Sequence, residues 1–179
     1  MLVVMTVLTG VIYPGLMTVL VQLVFPHQSN GSIIERNGKI VGSALIAQKF
    51  QSDRYFWPRP SAIGYDPLPS GASNLGPTSD SLKRLVERRR DVFIATNGLA
   101  GTTQVPAEML FSSGSGIDPE ISPEAAMMQI DRVARARGID DKSVLASLVR
   151  RHIEGPQFGF LGEQRVNVLK LNLAIDDLR

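Results

Sequence analysis

The sequence contains no cysteine, and Met1 to Ile34 contain no Lys, Arg, Asp or Glu. The first absence excludes a disulfide framework and any thiolate metal site. The second sets an uncharged amino-terminal segment apart from an ordinarily charged remainder that begins at Glu35. Histidine is scarce as well, with only His27 and His152, which leaves little material for general acid–base chemistry or an imidazole metal site. The formal net charge is only +2, so the uneven placement of charge says more than its sum.

From Met1 to Phe25 the apolar run is interrupted only by Thr6, Thr9, Gly10, Tyr13, Pro14, Gly15, Thr18 and Gln22. A membrane span needs about 20 mainly apolar residues rising about 1.5 Å each, so the run is long enough to cross. Pro14 would break a helix in water, but in a bilayer the freed carbonyl is satisfied locally. A secretory signal would show a basic start, an apolar core of about 7–15 residues and an A-x-A-like cleavage site. None of these is present, and residues 1–26 read as an uncleaved anchor. The nearest basic residues, Arg36 and Lys39, follow the run, so the positive-inside count does not orient the helix. With almost nothing ahead of the helix and a long domain behind it, the expected arrangement is a cytoplasmic amino end and an extracytoplasmic domain over 27–179. One helix with so few polar groups encloses no water-filled path, so the span is not a pore by itself.

The remaining residues, roughly 150, suffice for one domain with its own core. Asn37-Gly38 between two β-prone runs predicts a hairpin with a type I′ turn. Ser43 to Phe50 fits strand or helical turn equally. Between Arg54 and Thr78 the chain carries Pro58, Pro60, Pro67, Pro69 and Pro77, with Gly64, Gly71, Gly76 and the cluster Tyr55-Phe56-Trp57. That is too much punctuation for a regular element and too aromatic for a disordered linker, so a long ordered loop with a binding role is expected. A helix capped by Thr78 or Ser79 should follow, with Leu82, Leu85, Val86 and Phe93 on one stripe and Asn97-Gly98 at its end. Ser122-Pro123-Glu124 opens a second helix stopping at Gly138 and burying Ala126, Ile130, Val133 and Ala134. A third is predicted from an Asp140 cap through Val144, Leu145, Leu148 and Val149 towards Gly155-Pro156. Residues 168–178 fit a strand through Leu169, Leu171, Leu173 and Ile175, or a helix through Val168, Leu171, Ile175 and Leu178. The class is α+β, with a single amino-terminal transmembrane helix.

Signatures of catalysis are missing. Ser112-Ser113-Gly114-Ser115-Gly116 lacks the Gly-Lys-Ser/Thr of a P-loop and reads as a tight loop, and it has Ser where the G-x-S-x-G elbow begins with Gly. Asp118, Glu120 and Glu124 match no calcium loop. Arg88-Arg89-Arg90 belongs to a helix of mixed charge and reads as a solvated face rather than a nucleic-acid surface. The rival reading is a membrane-tethered envelope hydrolase with an unrecognised constellation around His152 and Glu154. By elimination, an anchored external domain with an aromatic, proline-rich loop points to a subunit that binds other proteins.

Several strings carry a resemblance. Leu8-Thr9-Gly10-Val11-Ile12-Tyr13-Pro14, Val41-Gly42-Ser43, Leu45-Ile46-Ala47-Gln48, Tyr55-Phe56-Trp57-Pro58-Arg59-Pro60-Ser61-Ala62, Gly71-Ala72-Ser73-Asn74-Leu75-Gly76-Pro77, Ser113-Gly114-Ser115-Gly116-Ile117-Asp118-Pro119 and Arg165-Val166-Asn167-Val168-Leu169-Lys170-Leu171-Asn172-Leu173-Ala174 occur in this order. The chain resembles the C subunit of the bacterial Kdp-type potassium-transporting P-type ATPase over almost its whole length. That family commonly has a few more residues, some basic, ahead of the span, whereas this chain starts directly at Met1-Leu2-Val3.

The resemblance implies a non-catalytic accessory subunit that stabilises a four-subunit complex in the bacterial inner (plasma) membrane. Its partners would be a channel-like potassium-binding subunit, an ATP-hydrolysing P-type subunit and a small single-span subunit. ATP, Mg2+ and K+ belong to the complex, and no cofactor is expected in this chain. The resemblance also implies promotion of the partner's ATP-coupled activity, with Gly114 to Gln129 suggested as a nucleotide contact, yet an external domain faces a compartment without ATP. Tyr55, Phe56, Trp57, Arg59 and Ser61 are the expected partner-contact residues, since exposed aromatics and arginine are typical binding anchors. The competing role for Phe56 and Trp57 is to cover the domain's own core.

Overall fold

The apolar run is helical throughout, as Leu2–Val7 (α1), a π-helical turn over Leu8–Ile12 and Tyr13–Val24 (α2). In the computed structural model, which describes residues 1–178, Leu2–Val24 is one span-length rod of 23 residues with mean hydropathy 1.9. At 1.5 Å per residue it measures about 34 Å, which covers a hydrocarbon core of about 30 Å. Its side chains are exposed all round, and a helix apolar on every face suits lipid rather than water. Pro14 explains the π turn. Its ring crowds the carbonyl four residues back and offers no N–H, and the preceding turn widens so that the Tyr13 N–H bonds to Leu8 O. Thr9 and Thr18 donate their hydroxyls to Met5 O at 2.7 Å and Pro14 O at 2.8 Å, so neither needs water.

A single turn, Pro26–Ser29 (α3), leads to the hairpin of Ile33–Arg36 (β1) and Lys39–Ser43 (β2). Asn37 and Gly38 both have positive φ, 53° and 72°, the type I′ geometry expected of Asn-Gly. The register pairs Arg36 with Lys39 and Ile33 with Ser43, with a bulge between Ile34 and Glu35. The span and this hairpin form one compact unit, Met1–Leu45, and the chain from Ile46 onward forms another.

From Ala44 to Ser79 there is neither helix nor strand. Asp80–Asn97 (α4) follows, with Ser79 Oγ capping the Leu82 N–H and the Leu99 N–H closing back on Ile94 O beyond Gly98. Phe93 is buried and Leu82 and Val86 are half-buried, but Leu85 is exposed, which narrows the expected stripe. After Ala107–Leu110 (α5) and Glu120–Ile121 (β3), the helix predicted as one piece from Pro123 to Gly138 is two, Pro123–Met128 (α6) and Ile130–Arg137 (α7), broken at Gln129. Ala126, Ile130, Val133 and Ala134 are buried as expected. Lys142–Arg151 (α8) is capped by Asp141 rather than Asp140, because it is the Asp141 carboxylate that accepts from the Ser143 N–H at 2.9 Å. It ends at Arg151, and Val144 is exposed.

Ile153–Glu154 (β4) and Arg165–Asn167 (β5) complete an antiparallel sheet of order β3-β5-β4. The ambiguous carboxyl-terminal segment is the helix Val168–Asp176 (α9), capped by Asn167. Val168, Leu169, Leu171 and Ile175 are buried and Leu173 is not, so the helical period governs burial. The core gathers Phe56, Phe93, Ile121, Val133, Leu145, Val149, Val166, Leu171 and Ile175, giving a mixed helix-and-sheet architecture.

Gly116 is the tightest backbone position. Its φ is +74°, and a Cβ there would meet the Ile63 side chain at 2.5 Å and Gly71 O at 2.7 Å. The Ser112–Gly116 loop, read from sequence as a simple tight loop, is therefore the bed on which the long loop lies, with the Gly71 N–H bonded to Ser115 O and the Ser113 N–H to Pro60 O. Gly116→Ala combines left-handed strain with a collision, costing about 2–4 kcal/mol. In detergent the thermal midpoint should fall by roughly 5–15 °C, followed through the fluorescence of Trp57, the only tryptophan.

Candidate functional site

The long loop reaches the core at Phe56, and two side-chain amides hold its backbone there. Asn172 of α9 accepts from the Phe56 N–H at 2.8 Å and donates to Phe56 O at 2.9 Å. Gln129 accepts from the Trp57 N–H at 2.7 Å and donates to Trp57 O at 3.3 Å and Ala125 O at 3.2 Å. Each amide imitates the paired donor and acceptor of a neighbouring strand. Backbone groups buried without such partners would cost about 1–3 kcal/mol each. The break between α6 and α7 falls at Gln129, whose side chain forms the second of these clamps.

Arg132 of α7 organises the next layer. Its guanidinium donates to Asn97 Oδ1 at 3.0 Å, Asp53 O and Tyr55 O at 2.9 Å each, and Gln129 Oε1 at 2.7 Å, while lying 4.1 Å from the Trp57 ring centroid. Burial pulls its pKa down to about 10, partly opposed by the Asp53 carboxylate, so it stays charged at neutral pH. Arg137 acts similarly further out, bonding Arg54 O and Asp176 and standing 4.9 Å from the Tyr55 ring. Tyr55 adds a hydroxyl contact to Asp176 at 3.1 Å.

The expected contact residues therefore divide. Phe56 is 0% exposed and its side chain belongs to this chain's core. Tyr55, Trp57, Arg59 and Ser61 are half-buried. Arg59 pairs with Asp118 at 2.6 Å, Tyr65 donates its hydroxyl to Arg59 O at 2.9 Å, and Ser61 Oγ accepts from the Tyr65 N–H at 3.0 Å. These contacts set a second bend of the loop. Burial raises the Tyr65 pKa, with the Arg89 charge acting the other way.

Between this bend and α4 lies a groove of about 470 Å³, with Trp57, Pro58, Pro60 and Tyr65 on one side and Leu85, Arg88, Arg89 and Val92 on the other. Its surface is mainly apolar, and Leu85 and Val92 remain exposed. The arginine run, expected to be a solvated face, has three different roles. Arg89 ties α4 to Leu110 O and Ser112 Oγ, and Arg90 reaches Gly101 O. Arg88 is exposed and forms no hydrogen bond or ion pair among the described residues.

The rival constellation is committed elsewhere. His152 Nδ1 meets Leu148 O at 2.9 Å, as a donor closing the end of α8. Glu154 is held by Lys170 at 2.9 Å and Arg165 at 3.4 Å, and the Lys170 hydrogen bond draws its pKa below the usual range. Asp118 and Glu120 are taken by Arg59 and Arg165. No group of three metal-ligating side chains converges among the described residues. Gln129, Arg132 and Asn172 do not stand out in the sequence. The only signal is a polar residue on an otherwise apolar helical stripe, and it does not name the partner.

A family model described as "KdpC: K+-transporting ATPase, c chain" matches residues 1–177. The chain is 50% identical over 174 residues to the potassium-transporting ATPase KdpC subunit of Gemmatimonas aurantiaca, covering 96% of this chain and 86% of that protein. It is 52% identical over 183 residues to the protein of the same name from Methylococcus capsulatus, covering 100% and 95% respectively. With the one from Burkholderia mallei it shares 52% over 177 residues, covering 97% and 91%.

If the amide clamps hold the loop, Asn172→Leu strands two buried backbone groups and costs about 2–5 kcal/mol. Asn172→Asp should be no better, since it keeps the acceptor but sets a carboxylate against Phe56 O. Arg132→Lys replaces a planar fork by a flexible point charge that cannot meet all four acceptors. Each should lower the thermal midpoint by roughly 5–15 °C, and shifts under about 2 °C in all three would discard the clamp as a determinant of stability.

Proposed function

The chain belongs to the family of potassium-transporting ATPase c chains, and from that premise we propose how it serves the assembly. It is an accessory subunit of the transporter and not its catalytic chain. In our reading it sits in the bacterial inner membrane through residues 1–26, with its amino end cytoplasmic and its domain outside. It stabilises the union of the channel-like potassium-binding subunit, the ATP-hydrolysing P-type subunit and a small single-span subunit, and so supports ATP-coupled uptake. ATP, Mg2+ and K+ are handled by those partners. The segment Gly114 to Gln129 is occupied by other duties, since Gly116 beds the long loop and Gln129 clamps Trp57.

The carrying observation is the groove beside Trp57. A mainly apolar groove lined in part by the exposed Arg88 suits a partner segment presenting an apolar side chain next to a carboxylate. Tyr55, Trp57, Arg59 and Ser61 form or brace one wall, so they act on partner binding partly through the shape they impose. Phe56 supports that wall from below.

Arg88→Glu and Val92→Asp change the groove's charge while leaving the buried clamps alone. Each should reduce recovery of intact, potassium-stimulated ATPase from detergent by about tenfold or more, the loss expected of an interface anchor. Undiminished recovery from both would remove the groove as a docking site. Topology has a separate check, because a chain without cysteine accepts one unique thiol. A Lys83→Cys variant should react with a membrane-impermeant maleimide in intact spheroplasts, and labelling only after lysis would place the domain inside.

A further inference from the structure

The sequence has three Asn-Gly pairs, Asn30-Gly31, Asn37-Gly38 and Asn97-Gly98. An asparagine followed by glycine can close a five-membered ring, because no side chain shields the next backbone nitrogen from the side-chain amide carbon. Residue order gives all three pairs the same chemistry, and folding separates them. Asn97 is 1% exposed. It donates to Phe93 O at 2.8 Å and accepts from Arg132 at 3.0 Å, while the Gly98 N–H is taken by Ala95 O at 3.3 Å. Asn30 donates to Pro26 O at 2.7 Å, and the Gly31 N–H donates to Gln28 O at 3.0 Å. In both pairs the amide and the attacking nitrogen are already engaged.

Asn37 and Gly38 are both exposed at the tip of the β1–β2 hairpin. Among the described residues, neither the Asn37 side chain nor the Gly38 N–H has a hydrogen-bond partner. Nothing lies within 4 Å of where a Gly38 Cβ would stand, so water reaches the turn. Ring closure needs the type I′ turn to relax, and little holds it shut. The sheet has two strands, a pairing that is marginal by itself, and it carries a bulge. The first cross-strand pair below the turn sets Arg36 opposite Lys39, and like charges placed there repel. Such a tip opens locally far more often than a core does.

The same two cations favour the reaction. Attack proceeds through the deprotonated Gly38 nitrogen, and neighbouring positive charge stabilises an anion. Glu35 is the one acidic residue between Ile33 and Ser43. We propose that Asn37 is a site of spontaneous modification, where the chain itself converts an amide into a carboxylate. The Gly38 nitrogen bonds to Asn37 Cγ, the Cγ–Nδ2 bond breaks, and the amide nitrogen leaves as ammonia with the proton that Gly38 gave up. Water then opens the ring at either carbonyl, leaving aspartate or isoaspartate at position 37. One water is consumed and one ammonia released, with no oxidant and no cofactor. The change sets a new negative charge beside Arg36 and Lys39, in the unit that contains the span. The isoaspartyl product also adds a methylene to the main chain, which a two-residue turn accommodates only by shifting the register. No partner subunit enters either step.

The test incubates the full chain in detergent, warm and at mildly alkaline pH, in water enriched in heavy oxygen. Peptide mass mapping follows each Asn-Gly pair, with fragmentation that tells isoaspartate from aspartate. Asn37 should take up solvent oxygen about tenfold faster or more than Asn30 and Asn97, the protection that engaged amides confer. Isoaspartate should appear at position 37 beside aspartate. In denaturant the three pairs should convert within about twofold of one another, since only local chain chemistry then acts. Equal conversion of the three in the folded chain, or faster conversion at Asn30 or Asn97, would overturn the proposal. So would the same preference for Asn37 in denaturant, which would take the selection away from the fold. Aspartate alone at position 37 would mean direct hydrolysis and would overturn the ring closure by Gly38.

Discussion

The second unit depends on satisfying a backbone that passes through its core without secondary structure. A strand at Phe56 and Trp57 would have found its hydrogen bonds along a ladder. An irregular segment cannot, and the cost of leaving its N–H and C=O groups bare in an apolar surround rivals the gain from burying the Phe56 ring. Two amides and a guanidinium resolve the conflict. Asn172 and Gln129 serve consecutive residues, and Arg132 gathers the carbonyls of Asp53 and Tyr55 while bracing Gln129 and Asn97.

Much of the remaining architecture follows from keeping those three side chains in place. The α6–α7 break falls at Gln129, α9 brings Asn172 beneath Phe56, and α4 ends at Asn97, which joins the network. The clamps fix the loop backbone at Phe56 and Trp57, beneath the groove wall. In the reading proposed above, the Trp57 side of the groove meets another protein without first being ordered, which is how a preorganised surface gains affinity. The string most evocative of binding, Tyr55 to Ser61, thus serves the fold through its contacts within the chain, and the groove wall it braces is the surface proposed for docking.

Physical economy also separates the two kinds of apolar exposure in this chain. The amino-terminal rod is apolar on all sides, long enough to cross a bilayer and internally satisfied at Thr9 and Thr18. The Phe158–Leu161 tip is small, is closed by hydrogen bonds between Gln157 and Leu161, and has Glu163 and Arg165 beside it. The first suits lipid on every face.

Local chemistry made several elements readable from the residues. The run from Met1 to Phe25 reads as a span-length helix because it is apolar and uncharged over more than about 20 residues, and the helix found covers Leu2–Val24. Asn37-Gly38 dictated a type I′ turn because few other pairs tolerate two positive φ values. Ser79 and Ser122 opened helices, since a hydroxyl there caps orphan N–H groups. The family was legible too, because its strings span most of the chain. What the residues left open was long-range. Whether 168–178 formed strand or helix depended on what α8 and the sheet offered to bury. Phe56's inward place depended on an amide 116 positions away. The exposure of Phe158 and Phe160 leaves no mark in the residue order, because a phenylalanine beside glycine reads the same whether it is covered or bare. Residue order alone settled those elements whose energetics close within a few positions. Folding in three dimensions chose which polar side chains complete a distant backbone and which apolar ones stay exposed, since both follow from packing between segments that chain order does not place side by side.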